Sequence, residues 1–530
     1  MSKKELYALV EKLKDEISEL RSENARLDQQ LLLLRAAKFA PKSEKIHPVD
    51  SDSSQYLLPI FNEAESIFIE EPVNEEKNIT VTAHTRKKRH KDTHLDDLPQ
   101  LDINLDLPVT GKICECGATL QQTGEVVSRK IMHIRPATFV INYHRAKYVC
   151  PNCEPASDEE KSCRIASMPR QVLQDTMATP ELLTRIAVGK FADGLPLYRQ
   201  SEILAREGVT LPRSTLSNWM VRLGRELQPL TELLLKKLRA GPIINKDETP
   251  VQVMKENGRA NTTKSYMWVG CGGEENARIR LFRYYPTRSA SAAEDMLAGF
   301  QGFLQTDGYA AYNTFGMRDG ITHVGCLVHV ARKFKELLKL KQKDAFVASI
   351  VNLIAKVYRK ENALREEHLP PEEFQRQRRE AVAPILSDIS KRLSEKALST
   401  LPSGNLGKAI AYARGQWPQI MRHLEDHRLT PDNNIAENAI RPFAVGRKNW
   451  LFAGSPAGAE GSAAIFSLIE TAKANDVDPW LYICHICREL PAATSEARLE
   501  KLLPWNCAPL APPDYSSLLS RLIAKIKIKN

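Results

Sequence analysis

No stretch of this sequence stays apolar for the roughly 18 residues that a bilayer span requires. The chain opens Met1-Ser2-Lys3-Lys4-Glu5 into a charged periodic segment, not the apolar core of a signal peptide. Both absences predict a cytoplasmic protein with no membrane contact. Structural disulfides are then excluded by the reducing compartment, so the ten cysteines are expected as thiols or metal ligands. Several catalytic signatures are also missing: there is no GxxxxGK[ST] phosphate loop, no GxGxxG after a strand, no HExxH and no GxSxG. The nearest approach to a phosphate loop, Gly404-Asn405-Leu406-Gly407-Lys408, has Ala409 where a metal-binding hydroxyl is needed.

What is present is a chain of 530 residues, long enough for three or four domains, with 42% hydrophobic residues to build their cores. Lys and Arg total 75 against 65 Asp and Glu. The net charge of +10 suits a polyanionic partner but does not by itself select one.

Residues 1–36 repeat every seven. Leu6, Leu13, Leu20, Leu27 and Leu34 share one heptad position, and Val10, Ile17, Asn24 and Leu31 the other. β-Branched residues at one seam position with leucine at the other favour a parallel two-stranded coil, and a single buried Asn fixes its register. A leucine-zipper homodimer is therefore expected. Residues 37–108 read as a partly disordered linker, acidic over 50–76 and then basic at Arg86-Lys87-Lys88-Arg89-His90-Lys91. That basic run is equally compatible with phosphate contacts and with a merely solvated face.

Over 109–170, Cys114 and Cys116 form one close pair and Cys150 and Cys153 another, separated by strand-like alternation such as Phe139-Val140-Ile141-Asn142-Tyr143-His144. Four thiolates on two tight turns, marked by Gly117 and Pro151, are expected to hold one structural Zn²⁺. Cys484 and Cys487 share the C-x2-C spacing but lie in an apolar helical stretch, and read as buried thiols.

Residues 171–240 read as a helical DNA-binding domain. A helix over Leu197–Glu207 breaks at Gly208-Val209-Thr210, and a second opens near Pro212 or Ser214 and runs through Trp219. This resembles a helix-turn-helix, with Arg213, Ser214, Thr215 and Asn218 placed for base contact.

From residue 241 the pattern becomes β-β-β-α-β-α-β, the order of the ribonuclease H fold. The first strand is expected to end at Asp247-Glu248-Thr249-Pro250 and the fourth at Asp307-Gly308-Tyr309. First and fourth strands are neighbours in that fold, so Asp247 and Asp307 are expected to meet. Two carboxylates so placed can bridge two divalent cations for in-line attack on a phosphodiester, and hard oxygen ligands suit Mg²⁺ or Mn²⁺. Gly308 is expected to leave room for a ligand behind Asp307. Residues 327–426 read as a helical insertion. A short helix then carries Glu437, with Asp432 as its N-cap and Pro442 as its stop. A solvated Glu437 paired with Arg441 one turn on is equally allowed by the spacing. Arg447 and Lys448 follow in a basic, aromatic stretch placed, together with Arg441, to hold DNA phosphates, or else to form a half-buried strand.

Taken together, these features resemble the large transposase of the insertion-sequence-66 family, which is of the DDE type. The matching text includes Lys42-Ser43-Glu44-Lys45, the four cysteines, and Leu195-Pro196-Leu197-Tyr198-Arg199-Gln200-Ser201. It continues with Asp247-Glu248-Thr249-Pro250, Asp307-Gly308-Tyr309, and Asp432-Asn433-Asn434 through Glu437. It closes with the run from Gly446-Arg447-Lys448-Asn449-Trp450-Leu451-Phe452 to Ser455. The resemblance implies a catalytic, metal-binding triad of Asp247, Asp307 and Glu437 with two Mg²⁺ (or Mn²⁺) ions, a zinc module of Cys114, Cys116, Cys150 and Cys153, and small accessory proteins from the same element. Glu248 departs from the second Asp carried by many members.

The expectation is thus a multidomain α/β protein: coiled coil, zinc-binding module, helix-turn-helix-like domain, ribonuclease H-like core over 241–326 and 427–490 with its helical insertion, and a tail over 491–530. It is expected to be nucleoid-associated and to cleave DNA at element ends and transfer the 3′-hydroxyl into target DNA. The alternatives are a nuclease or resolvase without strand transfer, and a catalytically silent DNA-binding regulator.

Overall fold

The computed structural model describes residues 138, 140–144, 147–149, 163–165, 168–340, 344–507 and 509–510. The heptads, the basic run at 86–91 and all four paired cysteines lie outside the described residues. Two short strands, β1 (Lys147–Val149) and β2 (Cys163–Ile165), pair antiparallel.

Four helices follow: α1 (Pro180–Phe191), α2 (Leu197–Arg206), α3 (Arg213–Glu226) and α4 (Gln228–Ala240). Local chemistry sets their limits. Thr179 caps α1 by accepting from the Leu182 amide, and Pro180 fills a first-turn position where no amide partner is needed. Gly208 adopts φ +91° between α2 and α3, a backbone state open to glycine. The two expected helices are present on either side of that break, and α3 runs seven residues beyond Trp219. These helices bury Leu183, Ile186, Leu216, Leu223, Leu234 and Leu238 in the same hydrophobic core as the sheet that follows.

That sheet contains β3 (Ile243–Val253), β4 (Lys264–Gly272), β5 (Ile279–Tyr285), β6 (Gly302–Gln305) and β7 (Ile321–Val324). Between β5 and β6 lies α5 (Ala290–Leu297), and between β6 and β7 a 3₁₀ helix, Ala310–Met317. The spatial order is β5-β4-β3-β6-β7. The first three strands are antiparallel, while β6 runs parallel to β3 and β7 parallel to β6. First and fourth strands are therefore adjacent, as the sequence order predicts.

One expectation fails. Thr249-Pro250 does not end the first strand: β3 continues to Val253, paired with β4 as far as Gln252↔Lys264. Its pairing with β6 stops at Asn245↔Gln305, so β3 lacks a neighbour on that side until β8 (Phe452–Ala453) joins at Gln252. Proline is tolerated where a strand has an open side, because its missing amide breaks no ladder bond there.

After β7 the chain makes the expected helical insertion: α6 (Leu327–Leu340), α7 (Ala345–Glu366), α8 (Pro371–Leu398) and α9 (Asn405–Met421). It has a hydrophobic core of its own, including Val330, Phe334, Ile350, Leu386, Ile389 and Ile410. At its centre Arg378, fully buried, pairs with Glu361 at 2.8 Å and donates to the carbonyls of Asp426 and Leu429. Arg365 donates to the Leu429 carbonyl as well. The insertion thereby grips the loop that returns the chain to the sheet.

That loop enters α10 (Asn434–Trp450). Pro442 does not stop this helix but lies within it. A proline frees the carbonyl four residues earlier, here that of exposed Asn438. The helix goes on because Phe443 packs against Phe466, with ring centroids 5.3 Å apart, and Gly446 is buried. Ala439 and Phe443 face the core from this helix, whereas Ile435 is exposed.

α11 (Pro456–Ala474) is buried along most of its length and covers the sheet. Its Ser467 and Thr471 hydroxyls accept from the amides of Phe282 and Arg280, closing the open edge of β5. Beyond it lie α12 (Pro479–Glu489), α13 (Glu496–Glu500) and α14 (Pro504–Cys507). Cys484 and Cys487 are buried, free thiols on α12, as expected. Among the described residues no helix is long and apolar enough to cross a membrane.

Candidate active site

The site is assembled by a ladder of buried amides. The Asn245 side chain, on β3, donates to Gln305 Oε1 on β6 (3.0 Å) and to Asn433 Oδ1 at the entry to α10 (3.2 Å). Asn433 donates back to the Lys246 carbonyl (2.8 Å), and Gln305 donates to the Thr430 carbonyl (2.7 Å). All three amides are at most 3% exposed. Buried amides satisfied in this way hold elements in one register, because slippage would leave them unpaired in a low dielectric.

Two residues beyond the Asn245↔Gln305 pair, each strand reaches its acid: Asp247 on the β3 side and Asp307 on the β6 side. Glu437 sits in the first turn of α10, four residues past Asn433. The three converge. Asp247 is pushed up to about 8, first by burial and then by the negative charges of Glu248, Asp307 and Glu437, against one hydrogen bond from the Glu248 amide. Asp307 Oδ1 accepts from the Tyr309 amide (3.0 Å). Glu437 does not pair with Arg441 of its own helix. It faces His329 (3.7 Å) and Arg332 (3.5 Å), both from the insertion's first helix, α6.

Strand alternation separates the two consecutive acids of β3. Asn245 and Asp247 face α10, so Lys246 and Glu248 face the other side of the sheet. Glu248 is not a turn residue. It lies in mid-strand with its side chain buried, accepts from the Tyr312 hydroxyl (2.5 Å) and pairs with Arg288 (2.5 Å). Burial raises its carboxyl above the usual range even so. Lys246 lies buried with its ammonium 4.6 Å from the Trp268 ring centre, and burial lowers it to about 7.

The space behind Gly308 is not free for a ligand. A Cβ there would collide with the Tyr412 hydroxyl, so α9 of the insertion packs directly on the turn after Asp307. Arg288 stacks on Tyr309, 3.7 Å from its ring centre, and reaches to 4.0 Å from Asp307. Arg332, 54% exposed, flanks Glu437. The acids thus have guanidinium groups on two sides.

The remaining sequence candidates divide. Arg213, Ser214 and Asn218 are exposed on the first turns of α3 and Thr215 is half-buried. Arg447 donates to Thr249 Oγ1 (3.2 Å) from the end of α10, Lys448 is exposed and Arg441 is half-buried. The half-buried-strand alternative for this stretch is realised only at Phe452–Ala453, after Leu451 turns with φ +66°. Sequence reasoning missed Asn245, Gln305, Asn433, Arg288, His329 and Arg332. The available signal was an amide two residues before each aspartate, polar side chains placed in otherwise apolar strands.

The donor set fits divalent cations. Three carboxylates crowd together, and Glu437 Oε1 is buried without a hydrogen-bond partner. Such a cluster is stable when a cation neutralises it, and oxygen donors suit Mg²⁺ or Mn²⁺.

Comparison with known proteins bears on most of the chain. The model of the Transposase IS66 family matches residues 175–461, and that of the IS66 C-terminal element matches 467–505. The zinc-finger binding domain of transposase IS66 matches 112–154, a span enclosing all four paired cysteines. Transposase C of IS166 homeodomain matches 26–103. Among relatives, uncharacterized protein y4jD of Sinorhizobium fredii (strain NBRC 101917 / NGR234) is 32% identical over 421 residues, covering 77% of this chain and 80% of its own. Uncharacterized protein y4qI of the same strain is 32% identical over 401 residues, covering 73% of this chain and 72% of its own.

Proposed function

The chain belongs to the transposase IS66 family, and from that premise we propose that it is a metal-dependent DNA transposase with a ribonuclease H-like core of the DDE type. It hydrolyses a phosphodiester at each element end and then directs the freed 3′-hydroxyl into target DNA. The fold reading is supported by the strand order β5-β4-β3-β6-β7 with its antiparallel and parallel halves. The catalytic reading is carried by one observation: Asp247, Asp307 and Glu437, from three separate elements, converge closely enough that the charges of the last two add to the burial and the Glu248 charge that hold Asp247 at about 8.

When bound by these three carboxylates, two Mg²⁺ (or Mn²⁺) ions supply Lewis-acid charge neutralisation at the phosphate. The chain's own groups do the rest. Asp247 gives up its proton as it takes up a ligand's role. The ladder of Asn245, Gln305 and Asn433 fixes the distance between strands and α10, so the acids are held in place before DNA arrives. Arg288 and Arg332 offer planar donors to phosphate oxygens on either side. Arg447 and Lys448 extend the cationic surface along α10, and Arg213, Ser214, Thr215 and Asn218 on α3 are assigned to base contacts.

Beyond the described residues, the zinc-finger match supports a zinc site, and we assign it to Cys114, Cys116, Cys150 and Cys153. The heptads are assigned to a homodimer, and small proteins of the same element to accessory partners.

The test is cleavage and strand transfer on a labelled element-end duplex. Asp247→Asn, Asp307→Asn and Glu437→Gln should each abolish both steps while leaving end-binding in a gel-shift assay largely intact. Cleavage without any joined product would support a simple nuclease instead. Full activity in Glu437→Gln would remove it from the triad.

A further inference from the structure

Glu437 belongs to a second constellation, whose other members the acid triad leaves unused. Cys326 closes β7's exit and His329 stands in the first turn of α6, three residues on, so both project from the same side of that helix start. Glu437 faces them from the first turn of α10. The Cys326 sulfur, a His329 ring nitrogen and a Glu437 carboxylate oxygen all lie within 4.8 Å of one another. His329 Nδ1 and Glu437 Oε1 are 3.7 Å apart, too far for a hydrogen bond, and both atoms are buried without a partner. Buried polar atoms are satisfied in the great majority of cases, so an orphaned facing pair calls for a partner such as a water or an ion, and the sulfur beside it favours an ion. The cluster is also held in shape. The Asn433 amide donates to the Cys326 sulfur (3.3 Å), and the Leu327 amide donates to the Pro431 carbonyl (2.8 Å), so the start of α6 and the entry to α10 are tied directly.

We propose that Cys326, His329 and Glu437 form a binding site for a borderline-soft divalent cation of the Zn²⁺ class, bordering the acid triad and sharing Glu437 with it. One sulfur, one nitrogen and one oxygen are the donors such an ion selects, whereas Mg²⁺ demands oxygen throughout. Three protein ligands leave a fourth tetrahedral position open. Because one carboxylate serves both sites, the soft ion and the hard ions compete for it. Zn²⁺ bound here withdraws the third acid from the triad and inhibits DNA cleavage. The binding site rests on geometry alone; the inhibition rests on the transposase reading above.

The experiment is a Co²⁺ titration of the full-length protein already carrying its own zinc, followed by absorption spectroscopy without DNA. One equivalent of Co²⁺ should bind with a sulfur-to-cobalt charge-transfer band. The band should persist in Cys150→Ser/Cys153→Ser, whose finger thiolates are removed, and vanish in Cys326→Ser. Because Cys326 is buried, His329→Gln at a part-exposed position is the second variant. It should weaken Co²⁺ by more than the roughly 10–100-fold that loss of an outer partner brings, with the thermal unfolding of the metal-free protein unchanged. A band indifferent to both variants, or no band beyond that of the finger, overturns the site. Since no DNA is present, that failure leaves the transposase reading standing. An inactive protein that still gives the band would sink the transposase reading and keep the site.

Discussion

Asp247 is held near 8 by burial and by three neighbouring carboxylates, and this makes it a group that weakens the metal-free fold at neutral pH. Its folded pKa lies above its unfolded one, so the native state binds the extra proton between about 4 and 8, and stability falls as pH rises through that window. Asp247→Asn should therefore stabilise the metal-free protein at pH 7, by on the order of 1 kcal/mol or more, and flatten the decline in Tm between pH 5 and 8. Thermal unfolding in chelator across that range checks both; a variant as pH-sensitive as wild type contradicts the assignment. Glu248 answers differently because it points to the other face of the sheet, bound to Tyr312 and Arg288. Glu248→Gln keeps a partner for Tyr312 and should lower cleavage much less than Asp247→Asn in a side-by-side assay. At this scale the acids were legible: aspartates follow apolar strand segments and a glutamate opens a helix. Their supporters were not. Whether a histidine or arginine on α6 faces Glu437 depends on a contact spanning about 100 residues, which no local spacing encodes.

Elements are joined here by few but demanding contacts. Asn433 pins the entry to α10 onto β3 by bonds in both directions. Asn433→Ala strands the Lys246 carbonyl and part of the Asn245 amide, each at about 1–3 kcal/mol. A Tm several degrees lower and a marked loss of cleavage are expected, the second because Glu437 rides on the same helix. Unchanged cleavage at a temperature where the variant stays folded would show that the ladder does not position the acid. Gly224 on α3 meets Gly461 on α11 so closely that a Cβ would collide with the facing backbone. Gly→Ala within a helix ordinarily gains about 1 kcal/mol, but here overpacking of about 1–3 kcal/mol opposes it. Gly224→Ala should thus lower the denaturation midpoint in urea; a rise would mean the helices separate freely. The strands and their order were legible because alternation and turn residues act locally. Pro250 and Pro442 were misread as stops for the complementary reason. A proline's effect depends on whether its missing amide had a partner, which neighbours decide: an open strand side for one, packing of Phe443 for the other.

On the scale of the whole molecule, the regions that read most plainly from spacing, the heptads and the cysteine pairs, lie outside the described residues. Their assignments are met by experiment instead: elemental analysis should find one Zn²⁺ fewer per chain in Cys150→Ser/Cys153→Ser, and no change in Cys484→Ser or Cys487→Ser, whose thiols are buried in a helix. Full zinc in the first variant would remove those cysteines from the site. The helical character of residues 327–426 was also legible, but not that Arg378 and Arg365 use these helices to grip the loop before α10. That grip has a consequence for the time at which the proposed triad can be complete. About 130 residues separate Asp307 from Glu437, and the loop leading to Glu437 is gripped by helices made in between as well as by β3 and β6. At roughly 5–20 residues per second of synthesis, a ribosome spends on the order of ten seconds between completing the second acid and releasing the third. Under the proposed triad, the nascent chain carries only two of the three acids throughout that interval, so a chain terminated before α10 is expected not to cleave DNA.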